Sequence, residues 1–307
     1  MSSITLPVGT LHYRVAGPES ASRPVVFLHG FLVNGELWAG VASALAARGV
    51  GSYAPDLPLG SHTAALHADA DQAPRGVART IISFLEALDL TDVTLVGNDS
   101  GGAIAQFLID TDPTRIGRLV LTNCDAFDKF PPPPFDQLFK AGRSAVRLRA
   151  LLAPMRATVL RHSALGYGML VSKPLDPALT RRWVDPCLTD DGVVRDTVAF
   201  LKGVDKRQLL DVSTRLQHFD KPVLLLWGNA DRFFKLDFAR RLSEIFPHAQ
   251  LVELAGGRTF HPLDDPARVA AEIMDAFYAS RSSDTATPAA TGVTLHGDQL
   301  VRPAAGR

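Results

Sequence analysis

Leu95-Val96-Gly97-Asn98-Asp99-Ser100-Gly101-Gly102-Ala103 reads as strand, sharp turn and helix, with an aspartate at the apex. Residues 93–96 are β-branched or apolar and suit a short strand, and residues 103–109 suit a helix. Between them lies a small–x–nucleophile–x–small pattern, Gly97-Asn98-Asp99-Ser100-Gly101. Its glycines let the backbone fold tightly enough to push the middle side chain into a cavity. A carboxylate held there can attack carbon and form an ester, which splits one difficult hydrolysis into two easier steps. Moving the register by one residue makes Ser100 the nucleophile of an esterase. That register puts Asn98 two residues ahead, where a side chain crowds the turn. A plainer alternative is that the glycines only make the turn and the acid caps the helix.

Outward from this stretch the chain alternates strands with helices. Residues 4–15 suggest a hairpin around Gly9, residues 25–28 a buried strand, 38–48 a helix and 51–54 another strand. Residues 75–88 form an amphipathic helical pattern through Val77, Ile81, Phe84, Leu85 and Leu88, and residues 119–122 a further strand. This alternation implies a mostly parallel sheet flanked by helices. The rhythm breaks at Phe127, and a proline run, Pro131 to Pro134, precedes a long stretch of helical spacing without a convincing strand. Strand patterns return at 222–228 and 250–254, and a helix over 267–278 follows. The expected organisation is a core of residues 1–126 and 218–280, a helical insertion over 127–217, and a disordered tail over 281–307 rich in Ser, Thr, Ala and Pro.

Composition narrows the class. The 307 residues are 46% hydrophobic, enough for a sizeable core, and no run approaches the roughly 20 apolar residues that span a bilayer. The first nine residues lack the basic start and apolar run of a secretory signal, so neither a signal nor a membrane partner is expected. Cys124 and Cys187 give neither a disulfide framework nor metal-ligand spacing, and a cytoplasmic location is the expectation. With 32 basic and 32 acidic residues the chain is balanced, which argues against nucleic-acid binding. The balance is local, however: residues 127–217 hold 15 Lys and Arg against 9 Asp. That excess suits either a cleft biased toward anionic or electron-rich substrates or a solvated basic face.

Three features together resemble the α/β-hydrolase fold: His29-Gly30-Phe31 after the third strand, the turn at Asp99, and Trp227-Gly228-Asn229-Ala230-Asp231 after the seventh. The resemblance spans residues 4–280, and the aspartate at the turn is similar to the epoxide hydrolase and dehalogenase branch. It implies an eight-stranded sheet, a helical cap supplied by residues 127–217, a site between cap and sheet, and no organic cofactor or metal. By that resemblance Asp99 attacks carbon and the N–H groups of Phe31 and Ser100 form an oxyanion hole. Asp231 orients an imidazole. Asp125 is a reserve for this acid, and His29 fixes its loop.

The base is where the sequence departs from the family. A Gly-His-Phe, with a proline six residues after the Phe, commonly carries the histidine. Here Phe260 and Pro266 keep that register, and Thr259 stands where the histidine belongs. His261 lies two residues later and is the candidate base if the loop turns it inward; His62 and His162 are more remote substitutes. Ser100 takes the place where dehalogenases often carry a halide-binding tryptophan. Tyr167 is the insertion's single tyrosine, half of the pair that epoxide hydrolases use on the opening oxygen, and Trp183 is a further candidate for the pocket wall. The expectation is an Asp99-dependent hydrolase of a small to medium apolar substrate, epoxide hydrolase-like before dehalogenase-like. A Ser100 esterase is one alternative. A non-hydrolytic or ligand-binding homologue, favoured by Thr259, is the other.

Overall fold

The computed structural model describes residues 1–20 and 22–278; the tail expected over 281–307 lies outside the described residues. The core opens with β1 (Ser2–Leu6), β2 (Gly9–Ala16), β3 (Val25–Leu28), α1 (Ala39–Ala46), β4 (Ser52–Pro55) and α2 (Pro74–Ala87). It continues through β5 (Val93–Asp99), α3 (Ser100–Thr111) and β6 (Ile116–Cys124). Then come six helices: α4 (Phe135–Ala141), α5 (Ala145–Leu152), α6 (Thr158–Arg161), α7 (Pro177–Thr189), α8 (Asp191–Gly203) and α9 (Lys206–Ser213). The core resumes with β7 (Val223–Gly228), α10 (Leu236–Ile245), β8 (Ala249–Leu254), α11 (His261–Asp264) and α12 (Pro266–Phe277). No named strand interrupts the segment between β6 and β7 among the described residues, which contains only an isolated bridge from Ala126 to Lys129.

The eight strands form one sheet in the order β1-β2-β4-β3-β5-β6-β7-β8. Pairing is antiparallel at β1–β2 and β2–β4 and parallel from β4 onward. The central strands are covered on both faces, so β3 and β7 are buried along their whole length and read as unbroken apolar runs. The helix expected over 38–48 begins instead as a 3₁₀ turn over Gly35–Trp38, capped by the Asn34 side chain, before α1 takes over. Pro74 opens α2 at the position where a missing N–H costs nothing, and Val77, Ile81, Phe84 and Leu85 form its buried stripe. α2 packs on α3, and α1 on α12.

The order 4-3-5 matters most for the site. Chain direction across the sheet reverses around β3, so the loops leaving β3 and β5 diverge and open a crevice at the carboxyl ends of the parallel strands. Gly30 and Phe31 follow β3, Asp99 ends β5, Asp125 follows β6 and Asp231 follows β7. All four segments therefore reach one end of the sheet.

Residues 125–222 are fastened to that end by specific bonds. The Trp183 indole N–H donates to Asn34 Oδ1 at 3.0 Å, the Ser61 hydroxyl donates to the Trp183 carbonyl at 2.6 Å, and Arg182 pairs with Glu36 at 3.0 Å. Asp264 of α11 accepts from the Ser172 N–H and hydroxyl and the Lys173 N–H.

The turn between β5 and α3 is held by close approach. A Cβ on Gly101 would stand 2.3 Å from the Leu28 carbonyl oxygen and 2.6 Å from that of His29, both backbone atoms that cannot give way. Replacing Gly101 with alanine is therefore expected to cost about 1–3 kcal/mol, lowering Tm by roughly 3–10 °C in a domain of this size. Thermal unfolding followed by circular dichroism checks this, and an unchanged Tm would contradict the packing described.

Candidate active site

Asp99 carries the strain of the turn. Its φ of 53° and ψ of −130° lie in a region that costs an ordinary residue on the order of 1–3 kcal/mol, and such strain persists only where neighbours fix it. The aspartate makes no capping bond to α3, so the simplest structural use of an acid at that position is absent. Instead its Oδ2 accepts the Phe31 N–H at 3.3 Å. A Cβ on Gly30 would sit 2.1 Å from the same oxygen, which is why the β3 loop can lie against the carboxyl only with glycine there.

The carboxyl faces a cavity of about 310 Å³ at the end of the sheet. Phe31 and Leu32 line its core side, and Pro131, Phe135, Met155 and Leu170 are among the insertion residues that line the other. The remaining polar lining consists of Ser100, Tyr167 and Thr259. Burial in these surroundings pushes Asp99 up to about 7, against the pull of the Phe31 and Ser100 N–H groups, with Asp231 adding a smaller upward push. Asp125, fully buried beyond the end of β6, has neither carboxyl oxygen hydrogen-bonded; burial, then the nearby Asp99, drives it well above the carboxylate range.

Asp231 has turned to other partners than an imidazole. Its Oδ1 accepts the Phe233 and Phe234 N–H groups at 2.8 and 3.0 Å, and its Oδ2 accepts the Thr259 hydroxyl at 2.8 Å. Burial raises this carboxyl too, more than the hydrogen bonds lower it. The Thr259 carbonyl accepts from Asn98 Nδ2 at 2.8 Å, so the residue beside Asp99 holds the backbone of the threonine loop. Asp99 and Thr259 thus line the same cavity, with the Thr259 hydroxyl bonded to the Asp231 carboxyl behind it.

The expected base is elsewhere. His261 begins α11, is 2% exposed and does not line the cavity; its Nδ1 donates to the Arg258 carbonyl at 3.1 Å, and its Nε2 is buried without a partner. Burial pushes it down to about 4, leaving it neutral. The physical reason is the intact Phe260–Pro266 register: the loop turns Thr259 to the cavity, and the start of α11 carries His261 away. His29 fixes its loop as expected, donating from Nδ1 to the Gly30 carbonyl and accepting the Leu57 N–H on Nε2 at 2.7 Å. It is pushed down to about 3 by burial. His62 meets Asp196 at 3.4 Å and His162 meets Thr180 at 2.8 Å, and neither ring lines the cavity.

Among the substrate candidates, Tyr167 lines the cavity, with its hydroxyl donating to the Leu32 carbonyl. Trp183 is completely buried outside the cavity lining, where its bond to Asn34 makes it a fastening between insertion and core. Ser100 lines the cavity from the first position of α3. Phe135, Leu138, Phe139, Met155 and Met169, which the sequence offers either as an apolar cleft or as the insertion's own core, all line the cavity. The part of the wall that sequence reasoning passed over is the proline run, because proline there reads first as a boundary. The available signal was the clustering of Pro131 to Pro134 with Phe135, apolar residues without a strand or helix core to join.

Comparison with known proteins agrees with this geometry. Residues 23–266 match the family model described as alpha/beta hydrolase fold. A 2-hydroxy-6-oxononadienedioate/2-hydroxy-6-oxononatrienedioate hydrolase from Dechloromonas aromatica is 27% identical over 248 residues, covering 78% of this chain and 81% of the relative. Among solved structures, the epoxide hydrolase CorEH superposes with a TM-score of 0.73 at 19% identity, covering 90% of this chain and 97% of that one. A haloalkane dehalogenase DbeA loop variant from Bradyrhizobium elkanii superposes at 0.70 with 19% identity, covering 89% and 93%. At these identities the structural likeness speaks for the fold, and the matched family for the class. The chain is an enzyme belonging to the α/β-hydrolase fold family.

Proposed function

We propose that this enzyme hydrolyses a small to medium apolar substrate through an ester on Asp99, with residues 127–217 acting as the cap over the site. The observation that carries the reading is the Asp99 carboxyl itself. It sits at a strained corner in an apolar cavity, one oxygen resting on the Phe31 N–H and no bond spent on capping a helix. That arrangement suits a nucleophile whose other oxygen attacks carbon, as in opening an epoxide. In that step a carbon–oxygen bond of the substrate breaks as the ester forms, and the freed oxygen takes a proton from solvent.

Ester cleavage needs a base, and the cavity offers no imidazole. The hydrogen bond from Thr259 to Asp231 supports a relay in its place. Water attacks the Asp99 carboxyl carbon and gives its proton to Thr259 Oγ1, while the threonine's own proton passes to Asp231 Oδ2. The oxyanion that develops on Asp99 Oδ2 is stabilised by the N–H groups of Phe31 and Ser100. As the bond between the Asp99 carboxyl carbon and the ester oxygen breaks, that oxygen departs with the alkyl product and recovers the proton by the same route, while the water oxygen stays in the Asp99 carboxylate. The raised affinity of Asp231 for a proton fits a base better than an ordinary carboxylate would.

A second reading has one observation in its favour. A carboxyl near 7 with no imidazole in the cavity is also a competent general acid or base for a non-hydrolytic isomerisation or elimination. The two readings part in a single turnover in ¹⁸O-water. The ester route places ¹⁸O in the Asp99 carboxyl, detected by peptide mass spectrometry, whereas proton transfer leaves Asp99 unlabelled.

Asp99→Asn is expected to reduce kcat at least about a thousandfold against any substrate found by screening epoxides and activated esters, and retained activity would remove the nucleophile. Because the ionised form attacks, kcat/KM should climb with pH up to about 7 and then level off. The same variant reads the cost of burying the charge. A carboxyl raised in the folded state favours folding while protonated, and that contribution is lost as pH rises through 7. Asp99→Asn should therefore melt above the wild type at pH 8, with the gap narrowing toward pH 5. Thr259→Val should accumulate a covalent adduct on Asp99, visible as an intact mass increase that the wild type clears; equal clearance would exclude the relay.

A further inference from the structure

Five large apolar side chains stand in solvent within one short stretch of the insertion: Val146 (78% exposed), Leu151 (40%), Val159 (81%), Leu160 (38%) and Leu165 (83%). Elsewhere among the described residues only Met1 and Leu210 are comparably exposed for their size. Single exposed apolar residues mean little, but a concentration of them marks an interaction surface. This one adjoins the cavity, because Leu151 and Leu165 also line it. The apolar surface of the pocket therefore continues outward onto the protein's exterior.

Charge on the same stretch is of one sign. Between Asp136 and Asp176 the chain contains no acidic residue and seven Lys or Arg. Several are engaged: Lys140 pairs with Asp136, Arg149 with Asp191, and Lys173 reaches the Asp264 carbonyl. Arg161 is buried and donates to the carbonyls of Met155, Arg156 and Pro177, which fixes the turn between α5 and α7. Exposed Arg147 and Arg156 have no acidic partner, and exposed Arg143 binds the carbonyls of Leu201 and Val204, which leave its charge uncompensated. The stretch, here called the collar, thus joins exposed apolar tips, two of which line the cavity, to uncompensated cations of the same segment.

We propose that this collar docks on an anionic phospholipid bilayer, so that an apolar substrate passes from the lipid into the cavity without crossing water. Apolar tips flanked by Arg are what an interfacial surface requires: the tips enter the acyl boundary while the guanidinium groups stay with the phosphates. No helix among the described residues is long and apolar enough to cross a membrane, so the contact is peripheral. A second copy is a poorer occupant. A symmetric pairing of this face would bring together two copies of a basic segment that carries no acid of its own between Asp136 and Asp176.

The test is co-sedimentation of the full chain with phosphatidylcholine vesicles, with and without about one-third phosphatidylserine, at low and high salt. Binding is expected on the anionic vesicles alone and should weaken as salt rises. Arg147→Glu with Arg156→Glu should weaken partitioning at least about tenfold. Val159→Ser with Leu165→Ser should weaken it several-fold at unchanged salt dependence. All four positions are solvent-exposed, so a preserved melting curve shows that the variants fold. Equal sedimentation with and without vesicles, or variants that bind like wild type, overturns the proposal. So does a dimer in light scattering that the same substitutions dissolve, which would assign the collar to a copy of the chain. None of these readouts depends on Asp99, so the outcome is independent of the proposed hydrolysis.

Discussion

A single backbone corner governs the rest of this molecule. Aspartate at φ 53° is unfavourable, and the corner persists because the surrounding chain leaves it no alternative. β5 is paired on both sides, by β3 and β6, and therefore cannot shift. α3 begins immediately after the corner and is pressed so closely on the β3 loop that Gly101 has no room for a methyl group. The strain at Asp99 is thus supported by the most buried part of the sheet, and it is directed to one result: a carboxyl turned away from the helix and toward an apolar cavity.

The environment of that carboxyl then determines its chemistry. In water an aspartate is a spent base at neutral pH; here burial lifts it to about 7 while two backbone N–H groups continue to favour the charge. The group is poised between its two forms. The same burial acts in the opposite sense on His29 and His261, driving both to the neutral state and out of acid–base work. One cause, desolvation, thus favours the neutral form of all three groups, raising the carboxyl and lowering the imidazoles.

The sheet and the corner could be read from the chain because both depend on local rules. Strand runs such as residues 25–28 and 222–228 are buried on both faces and apolar throughout, and the glycines at 97 and 101 can be recognised by spacing alone. Asp231 and Thr259 could be placed by register, and Thr259 does occupy the position where an imidazole was missing. What the chain could not reveal was direction in space. Whether His261 turned inward depended on where α11 starts, and whether Trp183 lined a pocket depended on Asn34, 149 positions away along the chain. The basic excess of the insertion was visible as a number, but its coincidence with exposed Val159 and Leu165 required the folded surface.

Thr259 is held by its main chain rather than by the fit of its side chain. Its carbonyl is anchored by Asn98, which is itself tied to the Thr122 hydroxyl at 2.9 Å, while the side chain looks into open volume and touches Asp231. The scaffold of the loop is therefore independent of what the residue carries at its tip. A position with that property can exchange one polar side chain for another without rebuilding the fold around it. At this point of the molecule, the difference between a hydroxyl and an imidazole is one side chain wide.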